Sequence, residues 1–334
     1  MNAFCESQTF FPSSFSYFSA GPGHTNRMCT SICLKNLYGR TLDHHQGYGE
    51  QPVILPPAAP FYMKDLPHLE QHYGLVGMAT VAGGVPLYYD GINEKGLFMA
   101  GLLFAGNAVY LPPKKDCYNV APYELIPWIL GQCPDLKAAR ALLLRVNLTD
   151  RPFSQELPLS PLHWMVADST GALVVEPGPR GLQLYENPFG VLTNNPPFPY
   201  HRTHLTDYLN LTAHYPASRF GNSLCLTPYS RGMGAVGLPG DWSSASRFVR
   251  AAFVAANGPR EPSLCEYFQM LDGVWVPRGV ALDPSGEPII TRYACCCDPR
   301  AGAYHYTTCR DRSIRTVTLD LADQNATTPV AMDL

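Results

Sequence analysis

A chain of 334 residues that is 46% hydrophobic and 15% charged is long enough to bury one large core or two smaller ones. Its net charge of -3 leaves no basic footprint for nucleic acid, and no run of about eighteen uninterrupted apolar residues offers a membrane span. With 28 Gly, 32 Pro and 19 Tyr, the composition favours a sheet-rich protein with some helix.

Residues 1–28 are rich in Ser and Phe. They lack the basic start and continuous apolar stretch of a signal peptide. They read as a weakly ordered leader or a mis-assigned start, ahead of a single domain over residues 29–334. Eleven cysteines, an odd number with no export signal, point to a reducing cytoplasm and free thiols. Residues 29–35 and 38–43 read as two strands around Asn36, and 75–82, 87–89 and 97–104 as further strands, the last two joined by a turn over 90–96. Residues 123–132 and 136–146 have helical spacing, with Asp135 as an N-cap. Residues 163–168 and 172–176 form a strand pair around Ser169-Thr170-Gly171. Helices are expected over 199–211, 246–256 and 261–272, and strands again over 288–297, 303–308 and 314–319. Strands first, helices between and strands last suggest two stacked sheets with helices outside.

The chemistry concentrates at Met28-Cys29-Thr30. A thiol with a pKa of roughly 8.5 needs help to act as a nucleophile at neutral pH. A free α-amine, titrating at about 7.7–8.0, can supply the base within the same residue. Translation from Met28 followed by loss of that Met, or a cut after Met28, would make Cys29 the first residue. The plain alternative is one buried strand cysteine among several. A turn centred on Asn36 would set Asp43 opposite Cys29 with both side chains on one face, where a carboxylate could hold the α-ammonium. On that register Arg40 has the wrong parity.

Seven stretches in order carry a resemblance. They are Met28-Cys29-Thr30; Tyr38-Gly39-Arg40-Thr41-Leu42-Asp43; Tyr89-Asp90-Gly91-Ile92-Asn93-Glu94-Lys95-Gly96-Leu97; Leu162-His163-Trp164; Val191-Leu192-Thr193-Asn194-Asn195-Pro196; Gly237-Leu238-Pro239-Gly240-Asp241; and Ser246-Arg247-Phe248. Together they resemble the choloylglycine hydrolases, the bile salt hydrolases and penicillin V acylases among the N-terminal nucleophile hydrolases. The resemblance runs from Cys29 to about Leu319. It implies an α+β fold of four αββα layers around two mainly antiparallel sheets, and a hydrolase of linear amides. Cys29 would be the nucleophile and its own amine the base, with a thioester acyl-enzyme between amine release and water attack. Asp43 would hydrogen-bond that amine, Arg40 and Arg247 would hold the sulfur and its surroundings, and Asn194 would donate to the oxyanion. Leu42 and Tyr48 match positions lining the apolar substrate pocket. The family's tetramers suggest a homotetramer here, and no cofactor is expected.

One departure stands out. Bile salt hydrolases usually carry Asn, and penicillin V acylases Tyr, where this chain has Leu103. Its backbone N–H could still serve an oxyanion, while the changed side chain leaves the substrate open. Gly106-Asn107-Ala108 is closer to the bile salt group, so a glycine- or taurine-conjugated bile salt is the favoured substrate. Penicillin V or another acyl amide is the alternative, and a non-catalytic binder with the leader retained is the second. Cys295-Cys296-Cys297 with Cys309 lacks a C-x-x-C spacing and reads as a thiol-rich strand rather than a metal site. His163-Trp164 reads as strand core, and His44-His45 as an exposed loop pair.

Overall fold

The computed structural model of the chain describes residues 27–332 apart from 222. Of the expected leader only Arg27 and Met28 lie among them. The first half runs β1 (Met28–Cys33), β2 (Tyr38–His44), β3 (Gln51–Leu55), β4 (Leu75–Ala82), β5 (Val85–Tyr88), β6 (Asp90–Asn93), β7 (Phe98–Leu103) and β8 (Tyr118–Val120). Then come α1 (Leu125–Gln132), α2 (Leu136–Leu143), β9 (Val146–Leu148), β10 (Leu162–Asp168), β11 (Gly171–Gly178), β12 (Gly181–Glu186) and β13 (Val191–Leu192). The rest is α3 (Phe198–His204), α4 (Ser244–Asn257), α5 (Leu264–Asp272), β14 (Ile290–Asp298), β15 (Ala303–Thr308), β16 (Arg315–Thr318) and β17 (Val330–Ala331).

One sheet has six strands in the order β13-β1-β2-β14-β15-β16. The other has nine, in the order β12-β11-β10-β7-β6-β4-β3-β17 with β5 beside β4. The pairs within both are antiparallel. Alternation along β7 explains the layering. Phe98, Ala100 and Leu102 join the core between the sheets. Met99 belongs to a second core, with Leu125, Ile129 and Leu143 of α1 and α2. Helices α4 and α5 cover the outer face of the six-stranded sheet, against β1 and β14. This is the expected four-layer α+β sandwich.

Several boundaries differ from the sequence reading. The helix expected over 136–146 ends at Leu143, because Val146–Leu148 pairs in parallel with β8. The helix expected over 199–211 is α for Phe198–His204 and then a 3₁₀ turn over Leu205–Tyr208. Helix α4 is capped by Ser243, whose side chain accepts from the Ser246 N–H, so Ser246 lies inside the first turn.

The first hairpin carries the correction that matters most. Leu34 N–H donates to the Leu37 carbonyl, so the turn is the two residues Lys35 and Asn36, not a loop centred on Asn36. The pairing is therefore Cys29↔Leu42, Ser31↔Arg40 and Met28↔Asp43. A slip of one residue exchanges the faces. Arg40 and Leu42 share the face of Cys29, and Asp43 lies on the other.

Candidate active site

Cys29 is the second residue of β1, 1% exposed. Strand β1 lies inside its sheet between β13 and β2, so the sulfur looks across the gap toward β7. There it lines a cavity of about 240 Å³ with Leu42, Tyr48, Leu103, Tyr88, Ile126 and Phe153 among its walls. The expected lining residues Leu42 and Tyr48 are thus brought to Cys29, as is Leu103. Arg27 also lines this cavity, its guanidinium 4.8 Å from the centre of the Tyr48 ring.

Arg40 is fully buried and spans the two sheets. Its Nη1 donates to the Gly101 carbonyl at 2.9 Å and the Tyr89 carbonyl at 3.4 Å, and its Nε donates to the Thr41 carbonyl at 3.1 Å. Nη2 has no partner. Asp90 stands 3.8 Å from Nη1 and accepts from Tyr293 at 2.5 Å and Tyr304 at 2.6 Å. Burial opposes the Arg40 charge, but Cys29, Tyr293 and Asp90 together hold its pKa above the usual guanidinium value. Asp90 lies within a quoted stretch but drew no role from sequence. Its partners sit some fifty and two hundred residues away, a distance no local pattern reports.

Arg247 enters from the first turn of α4. Its Nη1 donates to the Cys29 carbonyl and to Thr30 Oγ1, both at 2.6 Å, and its Nη2 donates to Asn194 Oδ1 at 2.7 Å. Asn194 in turn joins the sheets. Its Oδ1 accepts from the Cys29 N–H at 3.0 Å, and its Nδ2 donates to the Leu103 carbonyl at 2.8 Å. The Asn194 backbone is fixed as well, its N–H donating to Ser244 Oγ at 2.9 Å and its carbonyl lying 2.9 Å from His201 Nε2. Neither Ser244 nor His201 was singled out from sequence. Asn195, the other candidate of that pair, donates instead to the Ala105 carbonyl.

Asp43 is fully buried, and Thr291 and Thr41 donate to its carboxylate at 2.6 and 3.4 Å. Burial raises its pKa from 3.8 to about 6, against the pull of Arg247, Thr291 and Arg40. Two expectations about histidines divide. His163 is core, bonded to the Thr193 carbonyl at 2.9 Å. His44 is not an exposed loop residue: it ends β2 at 2% exposure, with its Nδ1 2.9 Å from the Gln46 carbonyl.

A cysteine near the head of an inner strand, between two antiparallel sheets with helices outside, is the arrangement of an N-terminal nucleophile amide hydrolase. The chain belongs to the choloylglycine hydrolase family of linear amide C–N hydrolases, whose family model matches residues 29–332. It is 41% identical to a bile salt hydrolase/transferase of Lactiplantibacillus plantarum, over 88% of this chain and 93% of that protein. It is 32% identical to a conjugated bile acid hydrolase of Lactobacillus acidophilus, over 91% and 99%. A solved variant of the conjugated bile acid hydrolase from Clostridium perfringens superposes with a TM-score of 0.85 at 29% identity, over 92% of this chain and 97% of that one. The penicillin V acylase of Agrobacterium tumefaciens shares the fold, with a TM-score of 0.68 at 18% identity over 90% and 89%.

Proposed function

We propose that the chain, trimmed to begin at Cys29, deconjugates glycine- or taurine-conjugated bile salts. The observation that carries this reading is Cys29 opening onto an apolar cavity, with both its backbone groups held by Asn194 and Arg247. Apolar walls suit a steroid acid, and the bile salt hydrolases among the relatives support the substrate. The family match beginning at residue 29 supports the trimming.

In the reaction, the freed α-amine takes the thiol proton and the thiolate attacks the amide carbon. Arg40 and Arg247 favour the thiolate. One hydrogen of Asn194 Nδ2 is engaged by the Leu103 carbonyl; the other, with the Leu103 N–H, receives the oxyanion. The tetrahedral intermediate collapses, the ammonium of Cys29 protonates the departing nitrogen, and glycine or taurine leaves. Water, deprotonated by the same amine, cleaves the thioester and releases the bile acid. Asp43, which pairs with Met28 across the hairpin, is left beside the new terminus when Met28 goes and is assigned to orient the amine from there. No metal or cofactor enters. The test is release of glycine and taurine by the trimmed protein and by Cys29→Ala. Loss of at least about 10³-fold in the variant is expected, and an inert trimmed protein would sink the reading.

Two other readings each have an observation in their favour. Leu103 favours a different acyl amide such as penicillin V, decided by comparing rates on the two substrates. Arg27 seated in the cavity favours a binder with its leader retained, which binds bile salt and yields no product. For the setting, the lack of a disulfide among the described cysteines supports a reducing cytoplasm. Exposed Leu209, Phe220, Tyr229 and Val236 support association between copies, a homotetramer by family resemblance.

A further inference from the structure

A second cavity of about 520 Å³ is lined by residues that neighbour those of the first in the chain. The two share elements: Tyr48 and Thr80 line the first, while Gly47, Gly49 and Met78 line the second. Its character is different, because three guanidiniums, those of Arg292, Arg310 and Arg315, line it against the carboxylates of Glu50 and Asp311. Asp311 is paired with Arg315 at 3.0 Å, and Glu50 Oε1 accepts from the Tyr48 N–H at 3.0 Å. The cavity keeps a net positive charge.

Arg292 has three unusual features. It is the extra residue of a β-bulge, since Thr291 pairs with Asp43 and Tyr293 with Leu42. A bulge re-aims the side chain it carries and is common beside active sites. Its Nε is buried without a hydrogen-bond partner, a cost that a bound acceptor would remove. And the guanidinium lies where a Cβ at Gly47 would come within 2.6 Å of Nη2, so the space for it depends on that glycine.

We propose that this cavity receives the acid group of the substrate's amine half, the carboxylate of a glycine conjugate or the sulfonate of a taurine conjugate, with Arg292 as its principal donor. The proposal rests on the bile-salt reading. Cys29, Leu42 and Tyr293 are direct cross-strand neighbours on one row, so Tyr293 in the cavity wall lies two strand spacings from Cys29, about 10 Å. The acid oxygens of a glycine or taurine tail reach about 4–5 Å beyond the amide nitrogen and an extended arginine side chain about 6 Å, which together are on the order of that separation. The apolar cavity then holds the acyl half and the cationic one the amine half. A guanidinium fork suits both anions.

The test compares the trimmed enzyme and Arg292→Gln on three amides of one cholyl group, made with glycine, taurine and ethylamine. The ethyl amide carries no acid. The expected result is a KM raised about 10-fold for the two acidic conjugates, the scale of one charge-assisted hydrogen bond, with kcat changed less than about twofold and the ethyl amide unaffected. An equal change on all three substrates, or none on any, overturns the proposal. Should Arg292→Gln fail to fold, Arg310→Gln at the exposed end carries the same comparison, and the absence of a selective KM rise there overturns it equally. An unmodified enzyme that cleaves the ethyl amide but neither conjugate brings down the bile-salt reading itself. Cleavage of both conjugates with unchanged kinetics in the variants brings down only this assignment.

Discussion

Asp43, proposed to orient the amine of Cys29, carries a cost to the fold. Its carboxyl is protonated below about pH 6 in the folded chain but only below about 4 when unfolded. Folding therefore takes up a proton between these values, and the contribution of Asp43 to stability falls as pH rises through that window. Asp43→Asn should accordingly stabilise the chain at pH 7, by on the order of 3 kcal/mol, with no gain below about pH 4; urea titrations at both pH values measure this. In the trimmed enzyme the same change should lower turnover by about 10²-fold or more, and unmodified activity should fall as Asp43 protonates. Burial raises the pKa of the Asp90 carboxyl as well, against the pull of Arg40, Tyr293 and Tyr304, but this carboxylate is the partner of a buried guanidinium. Asp90→Asn leaves Arg40 as a buried guanidinium without its carboxylate, which should cost about 3 kcal/mol. Adding Arg40→Met should recover part of that loss. Additive losses in the double variant would show that the two do not act as a pair.

At the level of elements, the first hairpin was legible and its register was not. The sequence marks strands over 29–35 and 38–43, yet whether the turn has two residues or three is decided by the Leu34–Leu37 hydrogen bond. That one unit moved Arg40 onto the face of Cys29 and Asp43 off it. Leu42, Tyr48, Leu103, Asn194 and Arg247 nonetheless gather around Cys29, because the ordered stretches identify positions without needing the register. Strand β12 was missed although Leu182 and Leu184 pack on one core and Tyr185 on the other, because its residues are only half-buried almost throughout, and β13 is two residues long. The partners Asp90, Ser244 and His201 were invisible for a different reason: their roles depend on contacts between elements. One element-scale expectation concerns the seam between β2 and β14. A Cβ at Gly39 would stand 1.9 Å from the Cys295 carbonyl oxygen, so Gly39→Ala should force these strands apart. The expected loss is about 3 kcal/mol, read as a lowered Tm.

Across the whole molecule, the two sheets meet at the site through Arg40, bonded to the Gly101 carbonyl, and through Asn194, bonded to the Leu103 carbonyl. The setting of Cys29 therefore depends on the spacing of the sandwich. A slide between the sheets should disable turnover before either sheet melts, so activity should be lost at a lower temperature than far-UV ellipticity. At the same scale, Leu209, Phe220, Tyr229 and Val236 predict that sedimentation velocity finds an assembly larger than a monomer, and that Phe220→Ser with Tyr229→Ser shifts it toward the monomer. Finally, the hydrogen bonds to Cys29 are all made by residues beyond Met28: Asn194 takes its N–H and Arg247 its carbonyl, while Met28 is still attached. Under the proposed mechanism, a chain with its leader intact is thus already aimed and lacks only a base. Cutting one peptide bond would arm it without rearrangement, and since nothing in the fold can restore that bond, the step would run in one direction, like drawing a safety pin.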